Sequence, residues 1–213
     1  MADKLSVYNR ALQHLGEARL AALTDLRSGR RELDAAWDEA LKFMLEQGMW
    51  NFGSRAVSLS PDTTVTPQFG YTYAFILPDD WVRTVKISDN ERFNPTLPDF
   101  EMYQGYILAD VTIVYLLYVS KGLAYGADPG KWNPAFAEGL AMELAYRTGA
   151  TITGKTQAEL NDMKKHAAGA ETDARGKDAV NQAMSRLPPG RLTRSRAGSR
   201  GGINAMRKAG YPI

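Results

Sequence analysis

Residues 149–156, GATITGKT, follow the spelling of a phosphate-binding loop: Gly, four residues, Gly, Lys, Thr. In such a loop the glycines let backbone N–H groups wrap a polyphosphate, the lysine pairs with it, and the hydroxyl reaches Mg²⁺. That chemistry needs a buried strand running into the loop, a helix leaving it, and a second apolar strand that ends in an acid. Here the preceding residues, AFAEGLAMELAYRT, read as an Ala-rich amphipathic helix, and nothing downstream reads as an apolar strand. The stretch is therefore expected to be a helix-to-helix connection. Gly149 would stop one helix, Gly154 turn the chain, and Thr156 cap the next.

Other reactive side chains are sparse. The two histidines, His14 and His166, each read as alone on a helix, so no metal cluster or general base is written locally. Without cysteine there is no disulfide framework, thiolate site or cysteine nucleophile, and the chain suits a reducing compartment. Asp79 and Asp80 follow Pro78 between two strand-like runs, where turn geometry explains them better than a pair of catalytic carboxylates. G-x-S-x-G, CxxC and HExxH are absent. The expectation is a protein that is not an enzyme, with no catalytic residue, no metal and no cofactor.

The elements that would position any site follow from periodicity. Leu5, Tyr8, Leu12 and Leu15 recur at helical spacing after an acidic first turn, with Gly16 as a C-terminal cap. A second helix puts Leu33, Ala36, Trp37, Ala40, Leu41, Met44 and Leu45 on one stripe, with Ser28 as N-cap and Gly48 as stop. From Gly48 to Ser120 the chain changes to short β-branched and aromatic runs separated by Pro, Asp, Asn and Gly, which predicts a small antiparallel sheet. Its most buried strand should be Val111 to Val119, apolar on both phases. Helix resumes at Asn133 and Pro134, with Phe136, Leu140 and Leu144 on one face. A capping box of Thr156 and Glu159 opens a last helix, which ends by RLPPGR. Trp37, Trp50, Phe52, Trp81 and Trp132 flank the junctions between helices and strands, where packing is a better account of them than base stacking. The fold class is α+β, with a bundle of about four helices. Residues 1–48 form its first hairpin, 49–120 an inserted antiparallel β-domain, 131–185 the second helical pair, and 186–213 an extended basic arm.

With 44% hydrophobic and 23% charged residues the 213-residue chain has ordinary globular composition. Its amphipathic start and the lack of any apolar run of about 18 residues predict neither export nor a membrane span. The net charge of +2 hides an asymmetry: Arg186 to Ile213 holds seven Arg or Lys and no acid, which leaves 19 basic against 24 acidic residues, or −5, in the body. Arg191, Arg194, Arg196, Arg200, Arg207 and Lys208 have no local acid to neutralise them, and the chain ends on the apolar Tyr211, Pro212 and Ile213. Such a segment docks on something acidic, either nucleic acid or another protein.

Several stretches in order, ALQHLGEARLAALTD, AAWDEALKFMLEQGMWNF, YTYAFILPDDWVRTVKI, GYILADVTIVYLLYVSK and WNPAFAEGLAMELAYRTGATITG, resemble the head-to-tail adaptor proteins of tailed bacteriophages, the group called tail tubular protein A or gatekeeper. The resemblance spans roughly Ser6 to Met184 and consists of many soft matches. It implies a structural virion protein made in the host cytoplasm and placed at the head–tail junction. Twelve copies would form a ring beneath the portal protein, extend the channel through which genomic DNA passes, and join it to a nozzle or tail-completion protein. Helical bundles would pack side by side, and the arm, with Arg191, Arg194, Arg196, Arg200, Arg207, Lys208, Tyr211 and Ile213, would grip the portal. The alternative is a nucleic-acid-binding protein whose basic tail neutralises phosphates.

Overall fold

The structure, a computed structural model, describes residues 3–67 and 70–179. The helices are α1 (Lys4–Leu15), α2 (Ser28–Glu46), α3 (Pro134–Thr153) and α4 (Gln157–Ala179). The strands are β1 (Ser54–Leu59), β2 (Tyr73–Ile76), β3 (Trp81–Ser88), β4 (Glu101–Tyr103), β5 (Tyr106–Ala109) and β6 (Val114–Ser120). The fold is α+β, as the periodicity predicts.

Local chemistry sets the helix ends, in places differently from the sequence reading. No acid lies in the first turn of α1; Asp3 is instead its N-cap, accepting from the Ser6 N–H at 2.7 Å while Ser6 Oγ accepts from the Asp3 N–H at 3.0 Å. Gly16 closes α1 in the left-handed conformation, as expected. The N-cap of α2 is Arg27 rather than Ser28, and its side chain makes no capping bond. Gly48 does not stop α2, which ends at Glu46 with a right-handed Gln47. A side chain at Gly48 would instead lie 2.8 Å from the indole of Trp50, so this glycine makes room for that ring.

Helix α3 is the central one. Phe136, Leu140, Ala141, Leu144 and Ala145 are fully buried, and α1, α2 and α4 all pack on it. Asn133 caps it, accepting from the Phe136 N–H at 2.6 Å, with Pro134 at the first helical position. Helix α4 lies on α3 by a narrow stripe of Leu160, Ala167 and Ala174, with Met163 beside it.

The strands form two three-stranded antiparallel sheets rather than the one expected, ordered β1-β6-β3 and β2-β5-β4. β6 is the central strand of the first sheet, and it begins at Val114, because the chain bends at residues 110–112. Val114, Leu116 and Tyr118 face a core shared with Phe75, Ile107 and Ala109 of the second sheet. Val119, with Val82 of β3, joins the helical core. The first sheet is thus a middle layer between the helices and the second sheet.

Aromatic rings fasten the helices to one another and to the segment that leads into β1. Trp37 meets Tyr8 at 5.4 Å and Trp132 at 6.1 Å between centroids, Trp132 meets Phe136 at 5.2 Å, and Phe136 meets Trp50 at 4.9 Å and Phe52 at 5.0 Å. Two of the buried indoles find backbone acceptors: Trp50 donates to the Met44 carbonyl at 2.9 Å and Trp132 to the Gly126 carbonyl at 2.8 Å. Trp81 belongs to the second core and donates to Thr84 Oγ1 at 3.0 Å.

Candidate functional site

Residues 149–156 are the last turn of α3, a cap and the start of α4. Gly149 does not end α3; it is buried inside it, where a Cβ would lie 2.7 Å from Leu160 Cδ2 and 3.1 Å from Leu15 Cδ2. The glycine is there because three helices meet at that point. The stop is Gly154, left-handed at φ 65°, whose N–H reaches the Ala150 carbonyl. Glu159 accepts from the Thr156 N–H at 2.9 Å and from its hydroxyl at 2.8 Å, so the Thr156 hydroxyl is committed to holding the start of α4. A helix, not a strand, enters the stretch, and its amides are spent on helical bonds and caps rather than turned toward a ligand.

Pro78, Asp79 and Asp80 form the expected turn, closed by the Trp81 N–H on the Pro78 carbonyl at 2.9 Å. Asp80 also ties the first sheet together. Its carboxylate accepts from Tyr118 Oη at 2.8 Å, from Arg55 at 2.8 Å and from Ser120 Oγ. Burial alone would raise this carboxyl, but the hydrogen bonds from Ser120, Tyr118 and Arg55 outweigh it and hold the group below the usual carboxylate range. Burial and the Asp80 hydrogen bond together push the Tyr118 hydroxyl far above its ordinary value, so it stays a donor. The sequence reading identified the turn and missed this cluster. The signal was the spacing of Tyr118 and Ser120, two apart and so on one face of a strand.

The two histidines are not isolated. His14 Nε2 lies 2.8 Å from Glu138 Oε1, and Arg10 meets the other Glu138 oxygen at 3.1 Å. His14 and His166 also line one open cleft of about 280 Å³ with Met142 and Met163, between α1, α3 and α4. Among the described residues no group of three or more His, Asp or Glu side chains is placed to hold a metal ion.

The predicted arm residues Arg191, Arg194, Arg196, Arg200, Arg207, Lys208, Tyr211 and Ile213 lie outside the described residues. Among the described residues no helix is long and apolar enough to cross a membrane. No protein-family model matches the chain, and no curated protein matches it.

Proposed function

We propose that the chain is a structural head-to-tail adaptor of a tailed bacteriophage, non-enzymatic, assembling as a ring of about twelve copies beneath the portal. In this reading the ring extends the DNA channel and joins it to a nozzle or tail-completion protein. The observation that supports it best is the way the chain closes on itself. Helices α1 and α2 from one end pack on α3 from beyond the strands, making one bundle from which the strands project as an insertion. That is the plan the sequence resemblance implies. Residues 186–213, with seven cations and no acid, follow the bundle in sequence and supply charge for an acidic face of the portal. Folding such a segment on a partner would cost ordering entropy, which wrapping a large surface offsets.

The test mixes the purified chain, intact or ending before Arg186, with the portal protein encoded in the same genome, and images and weighs the products. A ring on the portal that needs the last residues is expected. Absence of any complex with the portal, together with DNA affinity that falls steeply with salt, would favour the alternative, a nucleic-acid-binding protein using the same cations.

A further inference from the structure

An antiparallel sheet that packs one face on a core usually presents a polar face to solvent. The second sheet does not. Its register places Phe75, Ile107 and Ala109 on the face turned to the core. The opposite face consists of two cross-strand rows, Ile76–Tyr106–Tyr103 and Ala74–Leu108–Glu101. Five of these six residues are uncharged, yet Ile76 is 56% and Tyr103 61% exposed. Ala74 is fully buried and Tyr106 and Leu108 are half-buried, so the open part of this face is the Ile76–Tyr106–Tyr103 row, and an apolar row left open there marks a contact surface.

The segment of chain that builds this sheet is acidic, and Glu101 lies on the face itself. Residues 60–113 contain eight acidic and three basic side chains, so they hold all of the −5 carried by the body; residues 1–59 and 114–185 hold sixteen of each sign. Asp62, Asp89, Glu91, Asp99, Glu101 and Asp110 make no ion pair among the described residues. Asp62, Asp99 and Asp110 accept from neutral donors instead, Thr64, Tyr71 and Thr72. A partner suited to this face presents an apolar group bordered by cations.

The chain itself carries such a group. Leu123, at 87% exposed, stands out from the loop between β6 and α3, whose cations are Lys121 and Lys131, the second of them 3.9 Å from the loop's one acid, Asp128. The loop is braced: the Lys121 N–H donates to the Asp80 carbonyl at 2.8 Å, Tyr125 N–H to the Gly122 carbonyl at 2.9 Å, and Gly126 N–H to the Ser120 carbonyl at 3.1 Å. An apolar knob already held in place loses little freedom on docking.

We propose that the open face of the β2-β5-β4 sheet binds the Leu123 loop of a second copy of this chain. A face on one copy and a knob on the next make a heterologous contact, which leaves a face and a knob unused and so propagates to a ring or a filament. The inference rests on the ring reading above and names a contact within it.

Sedimentation of the intact chain across concentration and salt, alongside Ile76→Lys, Tyr103→Ser and Leu123→Glu, tests it. All three positions are exposed, so each variant should melt near the wild type. The wild type should form species larger than dimers, and each variant should associate at least about tenfold more weakly. An equimolar mixture of Ile76→Lys and Leu123→Glu should stop at heterodimers, because only one productive contact remains. A monomeric wild type, a folded variant that associates like wild type, or a mixture without heterodimers overturns the proposal. Portal binding is measured separately, so failure of the adaptor reading and failure of this contact give different results.

Discussion

Tyr118 Oη donates to Asp80 Oδ1 at 2.8 Å across 38 positions of sequence, joining the middle of one sheet to the turn that leads in from the other. Tyr118 is fully buried, so its hydroxyl has no water to fall back on. Asp80→Ala should cost about 2–3 kcal/mol, mainly from the stranded Tyr118 and Ser120 hydroxyls; Arg55, partly exposed, adds little. Because the folded carboxyl is held below its unfolded value, its contribution is full above the usual carboxylate range and fades as pH falls through the folded pKa. In denaturant melts from pH 7 to pH 2 the gap between wild type and variant should therefore narrow on acidification; a gap that stays constant would contradict the assignment.

Asp178 shows the opposite sign. It is buried near the end of α4, and burial raises its carboxyl, only partly opposed by the hydrogen bond from the Asn51 N–H at 2.7 Å. The folded state then binds the proton more readily than the unfolded chain, so ionised Asp178 weakens the fold at neutral pH and the penalty is relieved as pH falls through its folded pKa. Asp178→Asn keeps an acceptor for Asn51 without a buried charge. It should gain about 0.5–1 kcal/mol at pH 7 and lose that advantage in acid, whereas Asp178→Ala should lose about 1–2 kcal/mol. Equal effects of the two substitutions would show that the charge is not what matters.

Gly149 and Gly169 separate crowding from helix propensity. A methyl at Gly169 meets nothing within 4 Å, so Gly169→Ala should stabilise by about 0.5–1 kcal/mol. At Gly149 the same propensity gain is set against the contacts with Leu160 and Leu15, and overpacking of about 1–3 kcal/mol should win. Thermal melts of the two variants should move in opposite directions. If both rise, the helices can spread at Gly149 and the close approach is not required.

Lys155 tests the phosphate-loop spelling directly. Because α3 runs into that stretch, ATP with Mg²⁺ should not shift the melting temperature of the wild type, and Lys155→Ala should melt within about 0.5 kcal/mol of it, as for an ordinary surface change. A nucleotide-dependent shift that vanishes in Lys155→Ala would reverse this reading.

Helices with clear stripes and caps were legible in sequence: Asn133 with Pro134, Gly16, and Thr156 with Glu159 all sit where their chemistry requires. The misread glycines share a cause. Gly48 and Gly149 serve contacts with Trp50, Leu160 and Leu15, which are tertiary and leave no local trace. The second sheet escaped notice because β4 is only three residues long. Its signal was the two-residue loop Gln104-Gly105, both at positive φ, which makes a tight hairpin with β5. For the candidate surfaces, charge asymmetry exposed the basic arm, while the open apolar row emerged only when register showed which residues lie side by side.

The placement of α3 also orders events on the ribosome. Helices α1 and α2 are made first, but the surface that covers them belongs to a helix that ends at Thr153, after every strand has been synthesised. At about 5–20 residues per second their apolar stripes wait several seconds or more for that cover. During that interval the nascent chain is exposed to chaperones and to neighbouring copies on the same message, and translation speed through the β-insertion becomes a determinant of how much protein reaches assembly.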